Sequence, residues 1–431
     1  MIDEIGGLMI DGIYKGIPGN AAAFPIGKIA EKGWNVLRGD LPLPVALLRQ
    51  SALDQNGAWM RGFLQATGAA IAPHGKTTMS PQLFRRQLRD GAWAITLATV
   101  PQVQVARRFG ISRVLLANEL VGPAETAWVL HELARDSCFE FYCLVDSEKG
   151  VAQLAEAARR IAPGRPVQVL LECGVSGRRA GCRSLAEAMT VARAAAAAAP
   201  WLSLRGVEGF EGIITGADQE DTEARVRAFL GFMVETARQC SAEGLFGDGP
   251  AILSAGGSAY FDLVAEAFGA ADIGRETLAV LRSGCYLTQD TEHYEKAFRR
   301  ILERSGSARA VSGGLRNALE LWSYVLSRPE PARVILGFGK RDASYDDALP
   351  KPLVWFRPGM HSRPEPFATR PKVVTLNDQH AYLDVDPESP LAVGDMVAVG
   401  ISHPCTTFDK WQLLPVVTDD YEVIDAVRTF F

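Results

Sequence analysis

The chain has 431 residues, too long for a single hydrophobic core, so two domains or one barrel with an addition are expected. Apolar residues make up 48% and charged residues 22%, the balance of an ordinary soluble globular protein. A net charge of -5, no basic tract and no apolar run of membrane-spanning length argue against nucleic acid, an anionic membrane surface and a transmembrane span.

Residues 1–42 are glycine-rich and lack periodicity. They are read as an N-terminal segment that packs on the barrel or on a later β-domain, or forms a lid. Asp3, Glu4 and Asp11 stand ahead of Lys15, so the start lacks the basic region of a signal peptide. The 7 cysteines are odd in number and scattered, which fits reduced thiols in the cytoplasm better than a disulfide scaffold.

A short strand is expected at 43–48, followed by a helix capped by Ser51 and closed by Gly68. Apolar strand patterns follow at 69–73, 93–97, 113–117, 139–145, 167–172, 204–210, 251–254 and 278–281. Helical patterns lie between them, for example at 101–109, 124–136, 151–161, 184–199 and 221–239. Strands buried on both faces and alternating with helices predict an α/β fold, a TIM-type (β/α)8 barrel over 43–304. An open doubly wound sheet is the structural rival. Beyond residue 305 the style changes to strands at 318–327, 333–338, 352–356, 372–376, 381–385 and 396–401, separated by Pro, Gly and Asp turns. This predicts a C-terminal all-β domain over 305–431.

In such a barrel, chemistry sits at the C-terminal ends of the strands. The first strand ends in Pro73-His74-Gly75-Lys76-Thr77. If the extended backbone continues, His74 and Lys76 point the same way, and Gly75 lets the backbone approach a ligand. A Lys at the end of a buried strand is partly desolvated, which favours the free amine that forms a Schiff base. A solvated strand-end Lys beside a capping His explains the same spacing. The loops Ser254-Ala255-Gly256-Gly257-Ser258 and Arg282-Ser283-Gly284-Cys285-Tyr286 follow the seventh and eighth strands, where this barrel usually binds phosphate. A Lys across the mouth from a phosphate site suits one elongated phosphorylated cofactor. Within the β-domain, the i, i+2 pair His403 and Cys405 can chelate a metal such as zinc from one face; a turn His beside a buried Cys is the commoner meaning of that pattern. His380 is a third member of this group or a simple turn residue.

Taken together, these motifs resemble the D-serine dehydratase and D-threonine aldolase group of fold-type III pyridoxal phosphate (PLP) enzymes, whose barrel is shared with alanine racemase. The resemblance runs from about Leu43 to the end and includes Arg179-Ala180-Gly181, Glu208-Gly209-Phe210-Glu211-Gly212 and Asp378-Gln379-His380. It implies a PLP Schiff base on Lys76. It implies cofactor contacts from His74, Arg179, Glu211, Ser254, Gly256, Gly257, Gly284, Cys285 and Tyr286. It also implies a catalytic part for His380 and a divalent metal, zinc by preference, on His403 and Cys405. Where aldolases of the group carry His-x-Asp, this chain has His-x-Cys, which points to the dehydratase (deaminase) branch. The chain departs from the group's pattern at Thr78-Met79, at Phe210 where Tyr is common, and over the first 40 residues.

The function so implied is conversion of D-β-hydroxy amino acids such as D-serine or D-threonine to 2-oxo acids and ammonia. Retro-aldol cleavage and a non-catalytic PLP carrier are the alternatives. A homodimer, with the β-domain of one chain near the barrel of the other, is implied by the resemblance alone.

Overall fold

The structure is a computed structural model that describes residues 2–431. Eight parallel strands form the barrel: Ala70–Ile71, Ile95–Leu97, Arg113–Glu119, Glu140–Val145, Val167–Cys173, Leu202–Gly209, Ala251–Ala255 and Thr277–Leu281. The sheet closes on itself. The eighth strand pairs with the first through Leu281 and Ile71, and the first meets the second through the His74–Thr96 bridge. The amide of Thr96 donates to the carbonyl of Pro73 at 3.0 Å across that seam. Closure removes the open doubly wound alternative, because that sheet would have two free edges.

The barrel interior is a small cluster of its own, including Ala72, Leu115, Tyr142, Leu144, Leu170, Ile252 and Val280. The helices pack outside. Gln50–Thr67 carries Trp59 and Phe63 into an aromatic group with Phe261 and Phe298, with centroids 4.9 to 6.1 Å apart. That helix is capped by Arg49 rather than Ser51, whose hydroxyl instead donates to Asp419 at 2.6 Å. Gly68 ends it at φ 70, as the glycine signal indicates.

The strand expected at 43–48 forms as Val45–Arg49. It lies in the β-domain sheet, antiparallel to Leu319–Glu330 and parallel to Leu413–Val417. The β-domain is therefore built from both ends of the chain. Its longest strand, Leu319–Glu330, also pairs with Arg333–Leu336 and Met396–Gly400. The N-terminal segment runs along this domain. Val36 donates to the carbonyl of Tyr421 at 3.1 Å, and Val423 donates to that of Trp34 at 2.8 Å. Among the described residues, no helix is long and apolar enough to cross a membrane.

Candidate active site

Strand periodicity builds the mouth of the barrel. Side chains at i and i+2 share a face, so the residue two beyond each interior residue also points inward. Two past Ala72, Ala117, Leu144, Leu170, Ile252 and Val280 stand His74, Glu119, Asp146, Glu172, Ser254 and Arg282. Glu208 joins them as the register partner of Glu172. The result is a ring of polar residues directly above an apolar plug. The carboxylates of Glu119, Asp146 and Glu172 each place an oxygen within 4.8 Å of the others.

The ring is electrostatically crowded. Glu208 is 1% exposed and ion-paired with buried Arg282. Burial still pushes Glu208 up to about 7, against the pull of Arg282. Burial, then Glu208 and Glu119, push Glu172 up to about 10, so it is protonated at neutral pH. His74 is driven well below its ordinary value by burial first, then by Lys76, Arg282 and Arg179. Its ring is neutral. Nδ1 of His74, Nε of Arg282 and single oxygens of Glu119, Glu172 and Glu208 are buried without a hydrogen-bond partner in the chain.

Lys76 sits at this mouth, but not in an extended strand. Gly75–Thr77 is a turn of 3-10 helix, so the alternation stops at His74 and does not align the two side chains. Lys76 is exposed rather than desolvated. Gly75 is required for packing: a Cβ there would lie 2.7 Å from the Phe84 ring and 2.9 Å from Ile95.

The other predicted residues divide. Glu211 is buried, and its carboxylate accepts the N–H groups of Gly256 and Gly257 at 3.0 and 2.5 Å. These two amides thus form an anion seat, held here by the chain's own carboxylate. Gly284 lies against the first strand, where a Cβ would be 2.4 Å from the carbonyl of His74. Ser254 is buried and donates to the carbonyl of Val280 at 3.0 Å, a contact that ties the seventh and eighth strands together. Tyr286 turns away from the mouth towards Gln87 and Asp90, leaving only its backbone for the site. Arg179 is exposed, with its guanidinium 4.4 Å over the ring of Phe210. His380 is exposed in the turn between Lys372–Leu376 and Ala381–Asp384; the structure does not bring it to Lys76.

The metal pair reaches the turn that carries Lys76. Cys405 opens a one-turn helix, and its thiol lies 3.4 Å from the hydroxyl of Thr77, the residue after Lys76. Nδ1 of His403 meets Asp346 at 2.6 Å, and the imidazole also hydrogen-bonds Cys405. That bond, with Asp346 behind it, raises His403 to about 9. Hydrogen bonds from Cys285, then His403 and Thr77, bring Cys405 down to about 4. Asp346 orients the imidazole through Nδ1, the arrangement that supports metal-binding histidines once the ring is neutral. Cys285 is pushed well up, first by its hydrogen bond to Cys405.

The residues present fit PLP and a soft divalent metal. The mouth carries an exposed amine at Lys76 and buried, partnerless nitrogens on His74 and Arg282, while the amides of Gly256 and Gly257 are held by Glu211, which an incoming phosphate would have to displace. The sulfur and imidazole donors of Cys405 and His403 suit zinc. Sequence motifs missed Glu172, and they contained Glu208 and Arg282 without giving either a part in the site. The signal was available for Glu172 and Arg282, which fall on the inward face when the strand count of two is carried past Leu170 and Val280; Glu208 follows only from its register with Glu172.

Two family models match the chain. "Alanine racemase, N-terminal domain" covers residues 48–267 and "Putative serine dehydratase domain" covers 318–417. The 3-hydroxy-D-aspartate aldolase of Paracoccus denitrificans (strain Pd 1222) is 26% identical over 86% of this chain and 88% of its own length. The D-threonine aldolase of an Arthrobacter species is 25% identical over 90% and 92%. Among solved structures, D-threonine aldolase from Filomicrobium marinum superposes with a TM-score of 0.74 at 19% identity, covering 92% of this chain and 96% of that one. D-threo-3-hydroxyaspartate dehydratase from Delftia sp. HT23 gives 0.69 at 20%, covering 92% and 99%.

Proposed function

Since the chain belongs to the fold-type III PLP family built on the alanine racemase N-terminal barrel, we propose that it is a PLP- and metal-dependent dehydratase (deaminase) of D-β-hydroxy amino acids such as D-serine or D-threonine. The observation that carries this is the 3.4 Å contact of Cys405 with Thr77, which sets the metal pair beside the turn that holds Lys76. The resident metal is proposed to be zinc.

PLP, when bound, supplies an electron sink for charge developing at Cα. The metal, when bound, supplies Lewis acidity for a β-hydroxyl, which is otherwise a poor leaving group. The chain's own residues do the rest. Lys76 holds the cofactor and takes the Cα proton on its ε-amine. Neutral His74 and the Arg282–Glu208 pair line the cofactor's seat. Protonated Glu172 keeps a neutral, hydrogen-bonding wall beneath it. His403 and Cys405 would hold the metal beside the turn that carries Lys76, and Asp346 fixes the imidazole. Loss of water from the substrate and hydrolysis of the resulting enamine give the 2-oxo acid and ammonia.

Retro-aldol cleavage is the second reading, and the two curated aldolases favour it. The sulfur ligand at Cys405 supports dehydration, and the neighbouring structures include a metal-free cysteine-to-alanine mutant of D-threo-3-hydroxyaspartate dehydratase. A panel of D-β-hydroxy amino acids, assayed with and without chelator for 2-oxo acid and for aldehyde, tests the proposal. Chelator-sensitive 2-oxo acid is expected. Aldehyde with glycine would establish the aldolase, and no product from any member would sink both.

A further inference from the structure

The carboxylate behind His403 is not held by a strand. Between Arg333–Leu336 and Lys351–Phe356 the chain has no regular structure, and Asp346 lies in this loop. Asp346 meets Nδ1 of His403 at 2.6 Å and accepts from the Thr406 hydroxyl at 2.8 Å. Ser344 of the same loop accepts the amide of His403 on its hydroxyl at 3.3 Å and donates its own amide to the Thr407 hydroxyl at 2.9 Å. The position of the imidazole therefore depends on what fixes the loop.

Asp342 fixes it. Its side chain is fully buried. One carboxylate oxygen accepts the amide of Gly339 at 2.9 Å and the side-chain amide of Gln379 at 2.8 Å. The other is ion-paired with Lys15. The carbonyl of Asp342 accepts the indole N–H of Trp411 at 2.8 Å. The Lys15 ammonium lies 3.8 Å over that same ring and donates to the carbonyl of Arg341 at 3.2 Å. A buried carboxylate is tolerated when it is both paired and hydrogen-bonded. Here the cation comes from the N-terminal segment, and the amide comes from the Asp378-Gln379-His380 turn, whose His380 stays away from Lys76.

Resting on the metal reading above, we propose that Lys15 and Gln379 are positioning residues for the metal pair. They hold Asp342, Asp342 holds the loop, and the loop sets Asp346 against His403. The N-terminal segment and the Asp378-Gln379-His380 turn thereby gain a part in the site through Asp346. A node that served only the stability of the β-domain would leave metal affinity unmoved; a positioning node lowers it.

Zinc affinity of the PLP-loaded full-length protein, measured by competition with a chelator, reads this without reading turnover. Lys15→Met keeps an apolar stem over Trp411 and removes the charge. It should raise the zinc dissociation constant about tenfold, the lower end of what an outer partner of a metal ligand contributes. Gln379→Ala, at an exposed position, should move it in the same direction, and Lys15→Arg should restore it. In an Asp346→Ala background neither Lys15→Met nor Gln379→Ala should weaken zinc further, because the effect passes through Asp346. Circular dichroism checks that each variant is folded, and Gln379→Ala carries the test alone if Lys15→Met does not fold. Wild-type zinc affinity in the folded variants, or losses that simply add to that of Asp346→Ala, would overturn the assignment. If wild-type turnover is chelator-sensitive in that case, the proposed function stands and only the positioning role falls. A wild-type protein that binds no zinc would overturn both.

Discussion

Replacing Lys76 by alanine removes the amine that the turn after the first strand presents at the mouth, and with it the Cα base. Turnover should fall by at least about 10³-fold, the upper part of what a positioned proton acceptor contributes. The visible absorption of bound cofactor should disappear as well; retained activity would refute the assignment. Cys405→Ala should lose the metal and most activity while keeping bound PLP, as read by metal analysis and absorbance. Glu172 makes a prediction about pH. Burial and its acidic neighbours hold its folded-state value at about 10, above the value of about 4.3 for an unfolded Glu. Folding therefore takes up a proton, and this stabilising share is complete below pH 4 and lost as pH rises towards 10. Glu172→Gln should become more stable than wild type in urea unfolding as pH goes from 5 to 9. The gap should grow by less than about 1.4 kcal/mol per pH unit, because Glu208, raised by the same burial, titrates alongside it. A pH-independent gap would contradict this.

At the scale of elements, the Val45–Arg49 strand fixes the β-domain to the start of the barrel. Arg49 carries the join: it bonds Glu320 at 3.1 Å, Asp419 at 2.7 Å and the Tyr421 hydroxyl at 2.9 Å. Glu320 is buried and also accepts from Trp322. Arg49→Ala leaves that carboxylate without its cation and should cost about 3 kcal/mol by urea unfolding. Much of the barrel was legible in sequence because each strand is a short apolar run between helical repeats. The placement of Val45–Arg49 was not, since its partners Leu319–Glu330 and Leu413–Val417 are far away in sequence and local pattern carries no pairing information. Leu413–Val417 escaped because Pro415 argues against a strand, yet the chain admits it beside an antiparallel neighbour. At the site, Lys76, His403 and Cys405 were legible as motifs. The turn at Gly75–Thr77 and the outward Tyr286 were not, because both depend on packing against Phe84 and Gln87.

Over the whole molecule, the shared strand and the Thr77–Cys405 contact make the barrel and β-domain one mechanical unit. Calorimetry should show a single unfolding transition; two separated transitions would contradict the coupling. The central claim is that a lysine at the barrel mouth and a sulfur-bound metal beside it together choose which bond of a D-β-hydroxy amino acid breaks. D-threonine tests this most directly, because both reactions are open to it. The PLP- and zinc-loaded protein should give 2-oxobutanoate and ammonia, with the rate abolished by chelation. Acetaldehyde and glycine as the main products, or 2-oxobutanoate at an unchanged rate after the metal is removed, would contradict the account.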